Sequence, residues 1–316
     1  MATSAGIPSV RLRDYASGNR AAQSRFAAAL RDALQEYGFA SVSDHGIDPD
    51  LIRRTYRCCK RFFELEVREK LKLGGSPGGA RGYTGFGIEH AKDRAQPDLK
   101  EFFHVGRELP AEPARSHEIL PNRWPAAAPE MAACCSSLFE ALEGCACVLL
   151  EALAESYGLP EDTFAEMTHA GNHVLRALHY PPVPNDAHPE ALRSAPHEDI
   201  NLITLLCEAS ESGLEILRPD GHWLAVEAPA GQIVVDAGDM LERLTNGVIP
   251  ATTHRVVNPP ELADRHRYSL PFFAHPRPES DLSVLPAFVT PERPAQTPPI
   301  TASEFLEQRL RAIGLV

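Results

Sequence analysis

Five side chains in the C-terminal half of the chain have types and spacings that could do chemistry. His197 and Asp199 stand two residues apart in APHEDINLITLL, whose apolar filling reads as a buried strand. On a strand they share a face, roughly 6–7 Å apart along the backbone, close enough to ligate one ion. Burying an imidazole and a carboxylate is costly unless a hydrogen-bond partner or a metal satisfies both. On this pair alone, a buried histidine bonded to its neighbour or to backbone is the simpler reading. ATTHRVV adds His254 on a second expected strand, and RYSLPFF puts Arg267 and Ser269 on one face of a third. Two histidines and one carboxylate form the facial donor set that suits non-haem Fe(II) and leaves three positions open. Arginine offers a planar fork for a carboxylate, and serine adds a hydroxyl donor. Such a site fits a 2-oxo acid, with its keto and C1 carboxylate groups on the metal and its far carboxylate on Arg267 and Ser269.

Elements able to position these groups are visible along the chain. Residues 20–37 read as a helix with Phe26, Leu30, Leu34 and Tyr37 on one face and Gly38 as its stop. FASVSDHGI gives a short strand and a turn. Asp48 is an N-cap and Pro49 the first residue of a second helix running to about Leu73. The glycine-rich GGSPGGARGYTGFG, residues 74–87, lacks the G-K-[ST] ending of a phosphate cradle and reads as a loop over a site. Residues 127–157 form a long scaffold helix ending at Gly158. From Val174 onward short β-rich runs alternate with turn signals, PDG at 219–221 and TNG at 245–247 among them, which suggests a barrel or jelly roll. Residues 276–300 read as a proline-rich strap. TASE at 301–304 is a capping box for a final helix with Phe305, Leu306, Leu310 and Ile313 as its apolar side. The expected fold class is α+β with a mainly β core, in one domain spanning 1–316. Its parts are a helical N-terminal half (1–170), a jelly-roll core with the metal site (171–276), and the strap with the C-terminal helix (277–316).

Composition narrows the function. The 316 residues are 43% hydrophobic, enough for a sizeable core. Asp and Glu number 43 against 31 Lys and Arg, a net charge of −12, which argues against nucleic acid or an anionic membrane as the main partner. No apolar run approaches the roughly 18 residues of a membrane span, and MATSAGIPSVRLRDYA has no apolar signal core. The seven cysteines form no C-x-x-C pair and read as reduced thiols. The expectation is a cytoplasmic protein acting on a small molecule.

The chain resembles the isopenicillin N synthase-like group of Fe(II)/2-oxoglutarate-dependent oxygenases. The resemblance shows in GFASVSDHGI, FFELEVREKLKL, GYTGFG, DLKEFFHVGRE and LRALHYPP, and continues through PHEDINLITLL, GDMLERLTNG, ATTHRVV and RYSLPFFAHP. It implies a double-stranded β-helix, a cupin-like jelly roll with the metal in its open mouth. It also implies His197, Asp199 and His254 as iron ligands and Arg267 and Ser269 as the holders of the distal carboxylate of 2-oxoglutarate. Tyr180 matches the tyrosine of the family's N-x-Y-P stretch, which contacts that carboxylate, although Leu178 stands where relatives carry Asn. The implied reaction takes Fe(II), 2-oxoglutarate and O2, with ascorbate as a candidate reductant. It releases succinate and CO2 and oxidises a substrate C–H bond, by default to a hydroxyl. Strand parity sends Glu198 away from the metal. Phe273 shares the parity of Arg267 and is a candidate pocket residue. Arg81, Tyr83 and Phe86 could close over substrate, although Tyr83 resembles a packing position, and His104 reads as a core histidine. Two alternatives stand beside this reading. One is a same-fold oxidase that does not use 2-oxoglutarate, of the isopenicillin N synthase or aminocyclopropane-carboxylate oxidase type. The other is a cupin-like metal-binding protein without turnover, which would call for a fourth protein ligand.

Overall fold

The computed structural model describes residues 6–76, 80–91, 96–108, 120–227 and 229–312. The helices stand where their caps are written. After α1 (Leu12–Ala16), α2 (Arg20–Tyr37) starts at Asn19, whose side chain accepts the Ala22 N–H, and stops at Gly38, whose φ of 67° is left-handed. Glycine is doubly required there, because a Cβ would meet the Thr252 hydroxyl at 2.1 Å. Asp48 caps α3 (Pro49–Phe63). The single helix expected to Leu73 is broken: Leu65 turns in to pack on the core, Glu66 is extended, and α4 (Val67–Leu71) follows.

The long α5 (Glu130–Ser156) is apolar enough that length and composition alone would admit a membrane span, contrary to the expectation from apolar runs. Its buried side, including Leu138, Leu142, Leu149 and Leu153, packs inside the protein. A short α6 (Ala165–Thr168) leads into the β-rich half.

Two sheets form the double-stranded β-helix. Among the described residues the larger has nine strands. Four come from the N-terminal half: β1 (Ser9–Arg11), β2 (Phe39–Ser43), β3 (Gly82–Thr84) and β4 (Glu101–Gly106). Two of these, β1 and β3, are only three residues long, too short to show an alternation. β5 (Val174–Tyr180) follows. β6 (Ser194–His197) belongs to the smaller sheet, and β7 (Ile203–Cys207) to the larger. The one strand expected across 195–206 is therefore two strands in two sheets, joined by a turn at 198–202. The smaller sheet is completed by β8 (Leu214–Leu217), β9 (Trp223–Ala225) and β11 (His254–Val256). The larger one takes β10 (Ile233–Ala237), β12 (Arg267–Ser269) and β13 (Pro271–Ala274).

PDG forms the expected β8–β9 hairpin. TNG does not turn a hairpin. It ends α7 (Asp239–Leu244), an amphipathic helix hidden in a β-rich run, with Asn246 and Gly247 at positive φ. The Asn246 amide pins the strap by donating to the carbonyls of Phe288, Arg293 and Pro294. The capping box is as written: Glu304 N–H bonds the Thr301 hydroxyl and Thr301 N–H bonds the Glu304 carboxylate, opening α8 (Ala302–Ala312). Ile313 lies outside the described residues.

The layers run helices, larger sheet, smaller sheet. One apolar cluster joins α2, α3 and α5 to the outer face of the larger sheet, with Phe62, Phe103, Leu142, Leu205 and Phe272 at its centre. A second lies between the sheets, where Phe39, Leu178, Val234, Ile216 and Val256 meet. The mouth of that inter-sheet space is the site.

Candidate active site

β6 and β11 pair antiparallel with His197 opposite His254, so the two imidazoles lie side by side with centroids 4.3 Å apart. The turn after β6 brings Asp199 back to them. Its carbonyl accepts the Asp239 N–H at 2.8 Å, and its Oδ2 accepts the Thr204 hydroxyl, itself bonded by the Asn201 amide at 2.8 Å. Asp199 Oδ1 stands 3.8 Å from His197 Nε2 and 3.9 Å from His254 Nε2. Donor atoms of all three residues lie within 4.8 Å of one another. Strand spacing therefore does not create the convergence; a turn and a cross-strand pair do.

The protonation states suit a cation. His197 Nδ1 faces the Ala195 carbonyl at 2.8 Å and His254 Nδ1 the Thr252 carbonyl at 3.2 Å, which aims both Nε2 lone pairs inward. Burial, then the neighbouring His197, pushes the His254 imidazole down to about 4, so it is neutral at pH 7. Burial opposes ionisation of Asp199, but the two histidines and the Thr204 hydroxyl outweigh it and hold the carboxyl below its usual range. Asp236 on β10 sits 3.8 Å from His254 Nδ1. Burial, then the charge of Asp199, raises its carboxyl well above the ordinary value. With His254 neutral, that contact is not an ion pair.

The second half of the predicted set comes from the β5–β12 pairing, where Arg267 faces Tyr180 and Ser269 faces Leu178. Arg267 is 2% exposed. Its Nε donates to the carbonyls of Glu211 at 3.0 Å and Ser212 at 3.2 Å, and its guanidinium carbon lies 4.9 Å from the Tyr180 ring centre. Among the described residues, its Nη1 is buried without a partner. A buried guanidinium nitrogen left unbonded is costly, and an incoming carboxylate would satisfy it. Arg267, Ser269 and Tyr180 line one cavity of about 320 Å³ with the His–Asp–His cluster, walled by Leu206, Leu214, Val234 and Val256. All six predicted site residues thus share one chamber.

Toward the mouth the chamber is polar. Phe273 lines it, as its parity suggests. Arg81 and Tyr83 do not; they are buried in packing roles, with Arg81 on Asn172 and Leu120 and Tyr83 on the Glu101 carboxylate. His104 is a core histidine accepting from Arg176 Nε at 2.6 Å. Glu198 departs from its expected direction. β6 ends at His197, parity lapses, and Glu198 accepts the Thr253 hydroxyl and lines the chamber. The sequence reading misses Thr204, Asp236, Lys100, Glu89, Arg176 and Arg309. Arg176 had a signal, since it shares β5 parity with Leu178 and Tyr180. Arg309 on α8 had none, because the end of a C-terminal helix reaches the site only through tertiary folding.

Comparison with known proteins agrees with this geometry. Residues 7–127 match the family described as non-haem dioxygenase in morphine synthesis N-terminal, and residues 171–276 match the 2OG-Fe(II) oxygenase superfamily. A 2-oxoglutarate-Fe(II) type oxidoreductase of Aspergillus fumigatus is 32% identical over 89% of this chain and 86% of its own. The crystal structure of a 2OG-Fe(II) oxygenase family protein from Caulobacter crescentus is 45% identical, with a TM-score of 0.89 over 98% of this chain and 100% of that one. A full-length Neurospora crassa protein, solved in complex with alpha-KG and thymine, is 29% identical, with a TM-score of 0.86 over 97% and 96% of the two chains. The same-fold oxidase without 2-oxoglutarate is not favoured by these relatives. The chain belongs to the Fe(II)/2-oxoglutarate-dependent oxygenases and is a 2-oxoglutarate-dependent dioxygenase, using Fe(II), 2-oxoglutarate and O2.

Proposed function

We propose that the protein hydroxylates a C–H bond of a small organic molecule, with His197, Asp199 and His254 holding the iron and Arg267, Ser269 and Tyr180 holding the distal carboxylate of 2-oxoglutarate. The supporting observation is the unbonded, buried Nη1 of Arg267, which shares a chamber with three converging donors. Bound Fe(II) with 2-oxoglutarate and O2 supplies an oxidant for C–H bonds and releases succinate and CO2. The chain's own residues do the positioning. The carbonyls of Ala195 and Thr252 fix the imidazole tautomers. The Thr204 hydroxyl orients the Asp199 carboxylate. Leu206, Leu214, Val234 and Val256 keep water from the end that takes the cosubstrate. The thymine complex of the Neurospora crassa relative supports thymine as the first compound to try. Seven free cysteines support a reducing compartment, the cytoplasm, for this single oxygenase domain.

The test is succinate formation from 2-oxoglutarate in air with Fe(II), for the parent and for Asp199→Ala. The parent should turn over 2-oxoglutarate, slowly even without substrate, and the variant should not. Equal rates in the two would contradict the assignment.

A further inference from the structure

Four of the seven cysteines meet where α3 crosses α5, on the far side of the larger sheet from the chamber. Cys58 and Cys59 of α3 face Cys134 and Cys135 of α5 in register. The Cys58 S–H points at the Cys134 sulfur with 3.2 Å between the two atoms, and Cys59 Sγ lies 4.0 Å from Cys135 Sγ. One turn before Cys58, the buried Thr55 hydroxyl bonds the Cys134 carbonyl at 3.2 Å, which fixes the two helices against each other at this level. Thiols that served only as small apolar fillers would not need to pair sulfur to sulfur across the interface. The two pairs differ in access. Cys59 and Cys135 are both buried, whereas Cys134 is half-buried and brings the first pair within reach of a small solute.

We propose that Cys58 and Cys134 are a modification site for hydrogen peroxide, which links α3 to α5 through a reversible disulfide. Cys134 is the sulfur that peroxide reaches. It attacks the O–O bond and takes one oxygen as a sulfenic acid, while the other oxygen leaves as water. The Cys58 sulfur then attacks the sulfenic sulfur. The S–S bond forms as the S–O bond breaks, and the Cys58 proton leaves with the hydroxyl as a second water. Two thiols lose two electrons and two protons, and one peroxide is reduced to two waters. Burial, then the contact with Cys134, pushes the Cys58 thiol up to about 12, which suits a resolving thiol held in waiting. Cys135 does not compete for the sulfenic acid, because neighbours i and i+1 on a helix do not face each other. The pair rests as thiols in a reducing compartment, and a thiol reductant restores it after oxidation.

The test treats the full chain, kept free of iron so that peroxide acts only as a two-electron oxidant, with hydrogen peroxide and then with dithiothreitol. Free thiols counted after denaturation should fall from seven to five and return to seven. The mass should drop by two hydrogens, and a proteolytic digest without reductant should hold one peptide joining Cys58 to Cys134. The melting midpoint should rise on oxidation and fall back on reduction, since the link closes a long loop of the unfolded chain. Cys134→Ser should keep its remaining thiols under the same treatment, and Cys135→Ser should form the link as the parent does. Should Cys134→Ser fail to fold, Cys58→Ser makes the same test: its Cys134 should stop at the sulfenic acid, trapped by dimedone, and form no link. The proposal is overturned if the parent keeps seven thiols, if it is oxidised to sulfinic or sulfonic acid without a link, or if the link joins other cysteines.

Discussion

At the scale of single residues the donor set was legible because its members are chemically unusual where they stand. An imidazole and a carboxylate at the head of an apolar stretch, and an Arg-x-Ser in an apolar strand, demand partners wherever they are buried. The residues that orient those donors were not legible, because Thr204 and Asn201 look like ordinary polar positions until the turn at 198–202 brings Asp199 to them. Their importance is testable. Thr204→Val keeps the shape and removes the hydroxyl that bonds Asp199 Oδ2. Loss of such an outer contact weakens metal binding about 10–100-fold. Fe(II) affinity measured by chelator competition should fall in that range. An unchanged affinity would mean that Asp199 is positioned by its backbone bond to Asp239 alone.

At the scale of elements, what carried a cap or a long period was readable, and what was short was not. Asp48, Gly38 and the Thr301–Glu304 box mark helix ends that the structure reproduces. The three-residue strands β1 and β3 and the six-residue α7 offer too few residues for a pattern. The attachment of α5 to the sheet was also hidden, since it depends on three distant residues. Glu143 of α5 takes both the Arg107 guanidinium, just past β4, and His173 Nε2 at 3.2 Å, just before β5. His173 Nδ1 in turn accepts the His275 N–H at 3.0 Å, and burial keeps this imidazole below its usual range, so it donates to Glu143 as a neutral ring. Burial opposes ionisation of Glu143, but His173 and Arg107 prevail and bring its carboxyl from 4.5 to about 2. A depressed carboxyl stabilises the fold above its unfolded value and loses that contribution as pH falls through its folded one. Glu143→Gln should therefore lower stability by about 1–2 kcal/mol near neutrality, allowing for its partial exposure to solvent. The gap from the parent should close between about pH 4.5 and 2 in denaturant titrations. A gap independent of pH across that window would contradict the clamp.

At the scale of the molecule, two sheets share one interior and divide the work. The smaller sheet presents His197 and His254 side by side, and the larger presents Thr204 and Asp236 from the paired β7 and β10, and Arg267 and Ser269 from β12. The turn between β6 and β7, passing from one sheet to the other, carries Asp199 to the seam. On the proposed assignment, cofactor and cosubstrate would be held by different walls of one chamber, and the account stands on their meeting there. The most direct measurement is the visible absorption of the anaerobic protein with Fe(II) and 2-oxoglutarate, in the parent and in Arg267→Ala. The account predicts a charge-transfer band in the parent. It also predicts that the variant needs roughly ten- to hundredfold more 2-oxoglutarate to reach the same band, the worth of a charge-assisted hydrogen bond. Iron bound with no band, or a variant that titrates like the parent, would contradict it.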